Sequence, residues 1–253
     1  MTDETVPGRG FRALVTGAAK RVGRSVALEL GRRGSRVGVH YRQSADDAFL
    51  TQRDIARAGG EAHCLQADLS DRAAARNLVD EAVAVLGGLD LLVVNAAGYE
   101  RTPLAEVSEE AWDRTLELNL TSPFILSRQA LPALRESRGS IVFITCSSAT
   151  TPFKNHLPYV VSKGAVRHLM RTLALEVAPQ VRVNAVAPGT VLPPEGMDAP
   201  TLARVREATL LKCLGNPEDI ARAVLFLADS PFITGHEVVV DGGRAVAKVE
   251  QFC

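Results

Sequence analysis

One alternation constrains this chain more than any other feature of its sequence. A short apolar run near a glycine gives way to apolar residues at helical spacing, and then another apolar run begins. "RALVTG" (12–17) has the unbroken hydrophobicity of a strand buried on both faces. Val22, Val26, Ala27 and Leu30 then recur at intervals of one, three and four, and Gly34 closes that segment. "RVGVHY" (36–41), "EAHCLQADL" (61–69) and "LDLLVVNAAG" (89–98) repeat the strand signal, with helical segments over 45–58 and 71–87 between them. Strands joined this way must run parallel, because each crossover is long enough to carry a helix back over the sheet.

The alternation runs on toward the C-terminus. Helices are expected over about 108–136, a strand at "GSIVFIT", and a long helix over 157–178. A strand at "VRVNAVAP", a helix over 217–229 and a last strand at "HEVVVDGG" complete the series. No linker or repeat divides the chain. These elements predict a single-domain α/β fold over 11–244: a Rossmann-type, doubly wound parallel sheet of about seven strands with helices on both faces. Residues 1–10 read as a flexible tail and 245–253 as a C-terminal extension. The segment "PGTVLPPEGMDAP" (188–200) holds four prolines and two glycines just past a strand's carboxyl end. Ligands bind at such ends, so a substrate loop or lid is expected over about 189–212.

Composition narrows the function. Lys plus Arg and Asp plus Glu balance at 29 each, and aromatic residues make up only 5% of the 253 residues. That leaves no basic footprint for nucleic acid and no stacking platform for single strands. No apolar run reaches the length of a membrane span, and the opening "MTDETVPGRG" does not resemble a secretory or transit signal. The four cysteines (Cys64, Cys146, Cys213 and Cys253) lie far apart without metal-ligand spacing. A reducing cytoplasm, a small-molecule substrate and no metal are the expectations.

"TGAAKRVGR" (16–24) occupies the first strand-to-helix turn. Gly17 permits the tight turn, and Gly23 permits close approach at the helix start, whose free amides favour an anion. Arg21 stands where a third glycine often occurs and can pair with a phosphate in bidentate fashion. The end of the second strand, "HYRQS", lacks the carboxylate that would bind an adenosine ribose. Arg42, Ser44 and the nearby Lys20 suit a 2′-phosphate, so the expected cofactor is NADPH/NADP+ rather than NADH. Asp46 and Asp47 read as first-turn residues of the next helix. Asp68 can accept from an adenine amino group, or it can cap the helical run that begins at Ser70.

"FITCSSATTPFKNHLPYVVSK" (143–163) concentrates the chemistry. Tyr159 and Lys163 are four residues apart on a predicted helix, hence on one face. An adjacent ammonium stabilises a phenolate, which would tune Tyr159 to exchange a proton with a carbonyl oxygen.

With that stretch placed, the chain resembles the short-chain dehydrogenase/reductase family over essentially its whole length. The matching pieces are "TGAAKRVG", "ADL", "NAAG" (95–98), "LNL" around Asn119, "YVVSK", "NAVAPG", "GNPEDIA" and "TGHEVVVDGG". The resemblance implies cofactor contacts from Gly17, Lys20, Arg21, Val22 and Gly23 of the loop, and from Tyr41, Arg42 and Ser44. Asp68, Leu69, Asn95, Ala96, Ala97, Pro188, Gly189 and Thr190 would complete them, with Tyr159 and Lys163 at the nicotinamide end. It also implies that Asn119 holds a proton-relaying water and that the protein is a homo-oligomer, a tetramer in most of the family. "TGxxxRxG" and "HYRxS" look most like the pteridine reductase branch, where the aromatic at Tyr99 would stack a pterin.

Residue 146 departs from the family. Most members carry a serine thirteen residues before the tyrosine, and pteridine reductases an aspartate; here it is Cys146. Alternation along a strand end would put Ser148 on the same side as Cys146, so Ser148 is expected to steady the substrate oxygen, with Ser147 and Cys146 as alternatives. A Cys146–His156 hydrolase dyad would leave the dinucleotide machinery without purpose. The expected protein is an NADPH-dependent reductase of a ketone or a pterin-like heterocycle. Its catalytic residues would be Asn119, Ser148, Tyr159 and Lys163, and Tyr99, Leu192 and Met197 would contact the substrate. A non-catalytic NADPH-binding regulator is the competing expectation.

Overall fold

The computed structural model describes residues 10–193 and 196–247. Seven parallel strands form one sheet in the order β3-β2-β1-β4-β5-β6-β7. The first half runs β1 (Arg12–Val15), α1 (Arg21–Arg32), β2 (Arg36–Tyr41), α2 (Ala45–Arg57), β3 (Glu61–Gln66), α3 (Arg72–Leu86) and β4 (Leu91–Val94). After it come α4 (Glu109–Leu116), α5 (Ser122–Ser137), β5 (Ser140–Ile144), α6 (Leu157–Val177) and β6 (Arg182–Pro188). The chain closes with α7 (Ala199–Glu207), α8 (Pro217–Asp229), β7 (Glu237–Val240) and a single turn, α9 (Arg244–Ala247).

Strand β1 shows why both faces must be covered. Ala13 and Val15 enter a core cluster with Leu30 of α1 and Ile220 of α8, whereas Leu14 enters another with Leu78 of α3 and Leu134 of α5. All three β1 residues are fully buried. Successive side chains of a strand point to opposite faces, so an unbroken apolar run demands helices on each.

The strands are shorter than their sequence runs. "ADL" after β3, "NAAG" after β4 and "DGG" after β7 lie past the last paired residues. Those carboxyl ends turn away from the sheet to build a rim. Strand order reverses between β1 and β4, which opens a crevice there.

Two of the expected segments contain helix. The 189–212 segment is not all loop, because α7 lies within it, started by Asp198 accepting from the Thr201 amide at 2.6 Å. The extension begins in structure, with residues 245–247 completing α9; residues 248–253, and all but the last of the 1–10 tail, lie outside the described residues. Among the described residues no helix is long and apolar enough to cross a membrane.

Candidate active site

The phosphate loop is held from three sides. Gly17 adopts φ 64°, in the left-handed region that glycine enters freely. Asn95 donates through Nδ2 to the Thr16 and Gly17 carbonyls at 2.8 and 3.2 Å, while Thr16 Oγ1 accepts from the Asn95 and Ala96 amides. His40 was not among the expected site residues, yet its ring joins two strand ends. Gly17 donates its amide to His40 Nδ1 at 2.9 Å, and His40 Nε2 lies 3.1 Å from the Ala67 carbonyl. That pattern requires a neutral ring with its proton on Nε2. Burial enforces neutrality, pushing the His40 pKa down to about 4.

Gly23 sits where the start of α1 meets this loop. A Cβ there would lie 2.2 Å from the Gly17 carbonyl oxygen and 2.6 Å from Asn95 Nδ2. Gly23→Ala should therefore destabilise the protein by about 3 kcal/mol, because neither the backbone nor Asn95 can give way without breaking the loop. Thermal denaturation with and without cofactor checks it: the variant should melt lower and gain less from the cofactor.

No side chain caps α1, which leaves its first amides available to an anion, and the Gly17–Gly23 contact keeps the approach open. These features fit a dinucleotide pyrophosphate. Arg21 adopts φ 54°, as suits the position of a third glycine, and its Nη2 donates to the Leu192 carbonyl at 2.8 Å. The phosphate loop is thus tied directly to the substrate loop.

The 2′-phosphate residues divide. Arg42 is exposed at the end of β2, and Ser44 holds the N-cap position of α2 without a side-chain bond to the helix. Lys20, expected as a spare cation, is paired with Asp47 at 2.9 Å. Asp46 and Asp47 do lie in the first turn of α2. Asp68 accepts from the Ser70 amide and hydroxyl at 2.9 and 2.6 Å, and the cap of α3 is Asp71 instead. Tyr41 and Leu69 are core residues, so only their backbones are placed to face a ligand.

Tyr159 and Lys163 share a face of α6, with Lys163 Nζ 5.8 Å from the phenol ring centroid. Lys163 is 5% exposed and donates to the Ile144 carbonyl at 2.8 Å. Burial lowers its pKa to about 8. The expected depression of the Tyr159 pKa is not supplied by the chain itself. Burial, with Cys146 beside the hydroxyl, raises it instead and holds the phenol protonated.

Cys146, not Ser148, is the group placed against Tyr159. Strand β5 ends at Ile144, and Ser147–Ala149 form a 3-10 turn, so the two-residue alternation used to place Ser148 no longer applies. The Cys146 thiol accepts from the Ser148 amide at 3.4 Å and hydrogen-bonds with Tyr159. The Ser148 hydroxyl is buried without a partner, although the residue lines the cavity.

Asn119 lies in a π-helical turn (Glu117–Thr121) between α4 and α5. Its side chain accepts from the Gly98 amide at 2.8 Å and donates to the Gly98 carbonyl and the Ser162 hydroxyl. It braces the Tyr99 loop against α6, and both of its side-chain N–H donors are used. Sequence reasoning also passed over Glu237. Its 5% exposed carboxylate accepts from Thr145 Oγ1 and lies 2.7 Å from Arg167 Nε, one turn past Lys163. This ties β5, β7 and the catalytic helix together.

A cavity of about 700 Å³ opens over Tyr159. Tyr99 stacks on His156 with ring centroids 4.6 Å apart and meets Tyr159 edge-on at 4.8 Å, and Phe153 packs on His156 at 4.9 Å. His156 therefore serves an aromatic wall and makes no hydrogen bond with Cys146 among the described residues. Leu192, Met197, Val205, Thr190 and Arg244 also line the cavity, as do Pro188 and Gly189. No group of three or more His, Cys, Asp or Glu among the described residues is placed to hold a metal ion.

A family model described as Enoyl-(Acyl carrier protein) reductase matches residues 17–245, a span holding the phosphate loop and the Tyr159–Lys163 pair. The short-chain dehydrogenase/reductase of Serratia marcescens BCRC 10948 has the same fold, with TM-score 0.89 and 31% identity, covering 94% of this chain and 99% of its own. The chain belongs to the short-chain dehydrogenase/reductase family.

Ketoacyl reductase 2 of the granaticin polyketide synthase of Streptomyces violaceoruber is 40% identical over 239 residues, 91% of this chain and 94% of that protein. The 3beta-hydroxysteroid dehydrogenase 1 of Eggerthella lenta is 34% identical over 96% of this chain and 97% of its own. A short-chain dehydrogenase from Burkholderia cenocepacia J2315, solved in complex with NADP, has TM-score 0.87 and 31% identity, covering 93% of this chain and 98% of its own. As a short-chain dehydrogenase/reductase, the chain is an oxidoreductase of a family that binds nicotinamide cofactors. Its relatives include both ketoreductases and dehydrogenases.

Proposed function

We propose that this short-chain dehydrogenase/reductase is an NADPH-dependent reductase of a cyclic or aromatic ketone, with Tyr159 as its general acid. NADPH supplies the hydride when bound. Tyr159 gives its phenolic proton to the carbonyl oxygen, and Lys163, held by the Ile144 carbonyl, offers positive charge behind the phenol. Cys146 shares the neighbourhood of that oxygen in place of the family's serine. The observation that carries this reading is a half-buried Tyr159, with Lys163 on the same helix face, lining an aromatic-walled cavity. A phenol kept protonated suits delivery of a proton better than its removal.

No carboxylate lines the cavity among the described residues. A pterin presents a donor-rich pyrimidine edge that calls for such an acceptor, which favours a ketone over the heterocycle. The exposed guanidinium of Arg42 and the free hydroxyl of Ser44 support the 2′-phosphate preference. Intact Tyr159 and Lys163 geometry speaks against a purely regulatory role. The homotetramer remains part of this proposal.

A panel of cyclic and aryl ketones, with each cofactor in turn, tests the reading. NADPH should be oxidised with at least one ketone, and kcat/KM should exceed that with NADH by tenfold or more, about 1.4 kcal/mol. Arg42→Ala should lower that ratio through the KM for NADPH. Cofactor binding without turnover across the panel would overturn the enzyme in favour of the regulator.

A further inference from the structure

Arg244 lines the cavity and has no task in the proposed reaction. Three other cations lie near it, and each is differently placed. Lys163 sits behind Tyr159 and is bonded to the Ile144 carbonyl. Arg21 belongs to the phosphate loop and donates to Leu192. Arg101 is exposed on the Tyr99 loop. Arg244 instead projects from the first residue of α9, partly buried, and donates one N–H to Thr190 Oγ1 at 2.8 Å. That contact anchors one end of the guanidinium but is to a neutral hydroxyl.

Its charge has no carboxylate partner among the described residues. The acid nearest in sequence, Asp241, accepts from the Gly243 and Ala245 amides at 2.9 and 2.8 Å and forms no ion pair with Arg244. The fields of Arg244 and Arg101 both reach Tyr99. A guanidinium held in a partly desolvated wall attracts an anion strongly, and its planar fork matches a carboxylate or phosphate.

We propose that Arg244 recognises an anionic oxygen group on the substrate, so that the preferred ketone carries a carboxylate or a phosphate. This rests on the ketone-reductase reading. It specifies the substrate as a small acid whose apolar ring lies against Tyr99 and Phe153 while its anion faces Arg244.

The test compares 4-acetylbenzoate, its methyl ester and 4-acetylphenyl phosphate, by turnover with NADPH and by calorimetric binding to protein saturated with NADP+. The acid should exceed the ester at least tenfold in kcat/KM, chiefly through KM, and the same order should appear in binding. Adding sodium chloride should narrow the gap. Arg244→Gln should bring the acid-to-ester ratio to within about twofold of one, and Arg244→Lys should retain part of it. The phosphate arm shows whether carboxylate or phosphate is the better fit, and either preference over the ester supports the site. Equal binding and turnover of acid and ester, or a preference that survives Arg244→Gln, would overturn it. Arg244-dependent binding of the acid with no turnover of any ketone would leave the anion site standing and remove the reductase reading.

Discussion

Replacing Tyr159 with phenylalanine should lower kcat for ketone reduction by about a thousandfold, in the range expected for loss of a positioned general acid. NADPH should still bind, because the phosphate loop and the Gly17–Gly23 contact are untouched. Stopped-flow hydride transfer, with NADPH titrated by fluorescence, separates the two effects. Full activity in the variant would remove Tyr159 from the mechanism. The environment of the phenol adds a sharper expectation. Burial is the main reason that Tyr159 stays protonated, and Cys146 beside it is the next. A serine does not ionise, so Cys146→Ser should move the rising limb of alcohol oxidation to lower pH than in the parent. A limb that stays in place would mean that the thiol does not govern the phenol.

Acidification should weaken the fold through one histidine. His40 has a folded pKa of about 4, depressed by burial and only partly offset by the Ala67 carbonyl and Asp68, against an unfolded value near 6.5. The unfolded chain therefore takes up the proton first, and the stability contribution is complete above pH 6.5. It is lost as pH falls through that value toward 4, by about 2 kcal/mol at pH 5 and about 3 kcal/mol at pH 4. Protonated Nδ1 cannot accept the Gly17 amide, so cofactor binding should weaken in the same window. A glutamine can offer an acceptor to Gly17 and a donor to Ala67 without titrating. Urea midpoints of the parent and His40→Gln at pH 7 and pH 5 should thus diverge, with the variant losing less. Equal losses would place the acid sensitivity elsewhere.

Much of this architecture is legible in the sequence because buried parallel strands and amphipathic helices write opposite periodicities. β2 and α8 coincide with their expected spans, Arg36–Tyr41 and Pro217–Asp229. Helix α7 escaped because the prolines and glycines just before it read as loop, although Asp198 with Pro200 two residues on is a helix-start signature. At the site, Tyr159 and Lys163 were legible because a four-residue spacing survives folding as one helix face. The strand rule that paired Ser148 with Cys146 did not apply past the end of β5, although both residues line the cavity. Lys20 with Asp47, His40 with Gly17 and Glu237 with Arg167 left no local trace. Each joins segments brought together only by the sheet, and a pattern read along one segment does not contain its partner.

Arg21 joins two loops that meet at the ligand crevice. A non-glycine residue at φ 54° costs about 1 kcal/mol that glycine would not. The guanidinium reaches from the phosphate loop to the Leu192 carbonyl, a contact that glycine could not make. The backbone strain at Arg21 thus accompanies a direct tether between the phosphate loop and the substrate loop, so that a displacement of one is felt by the other.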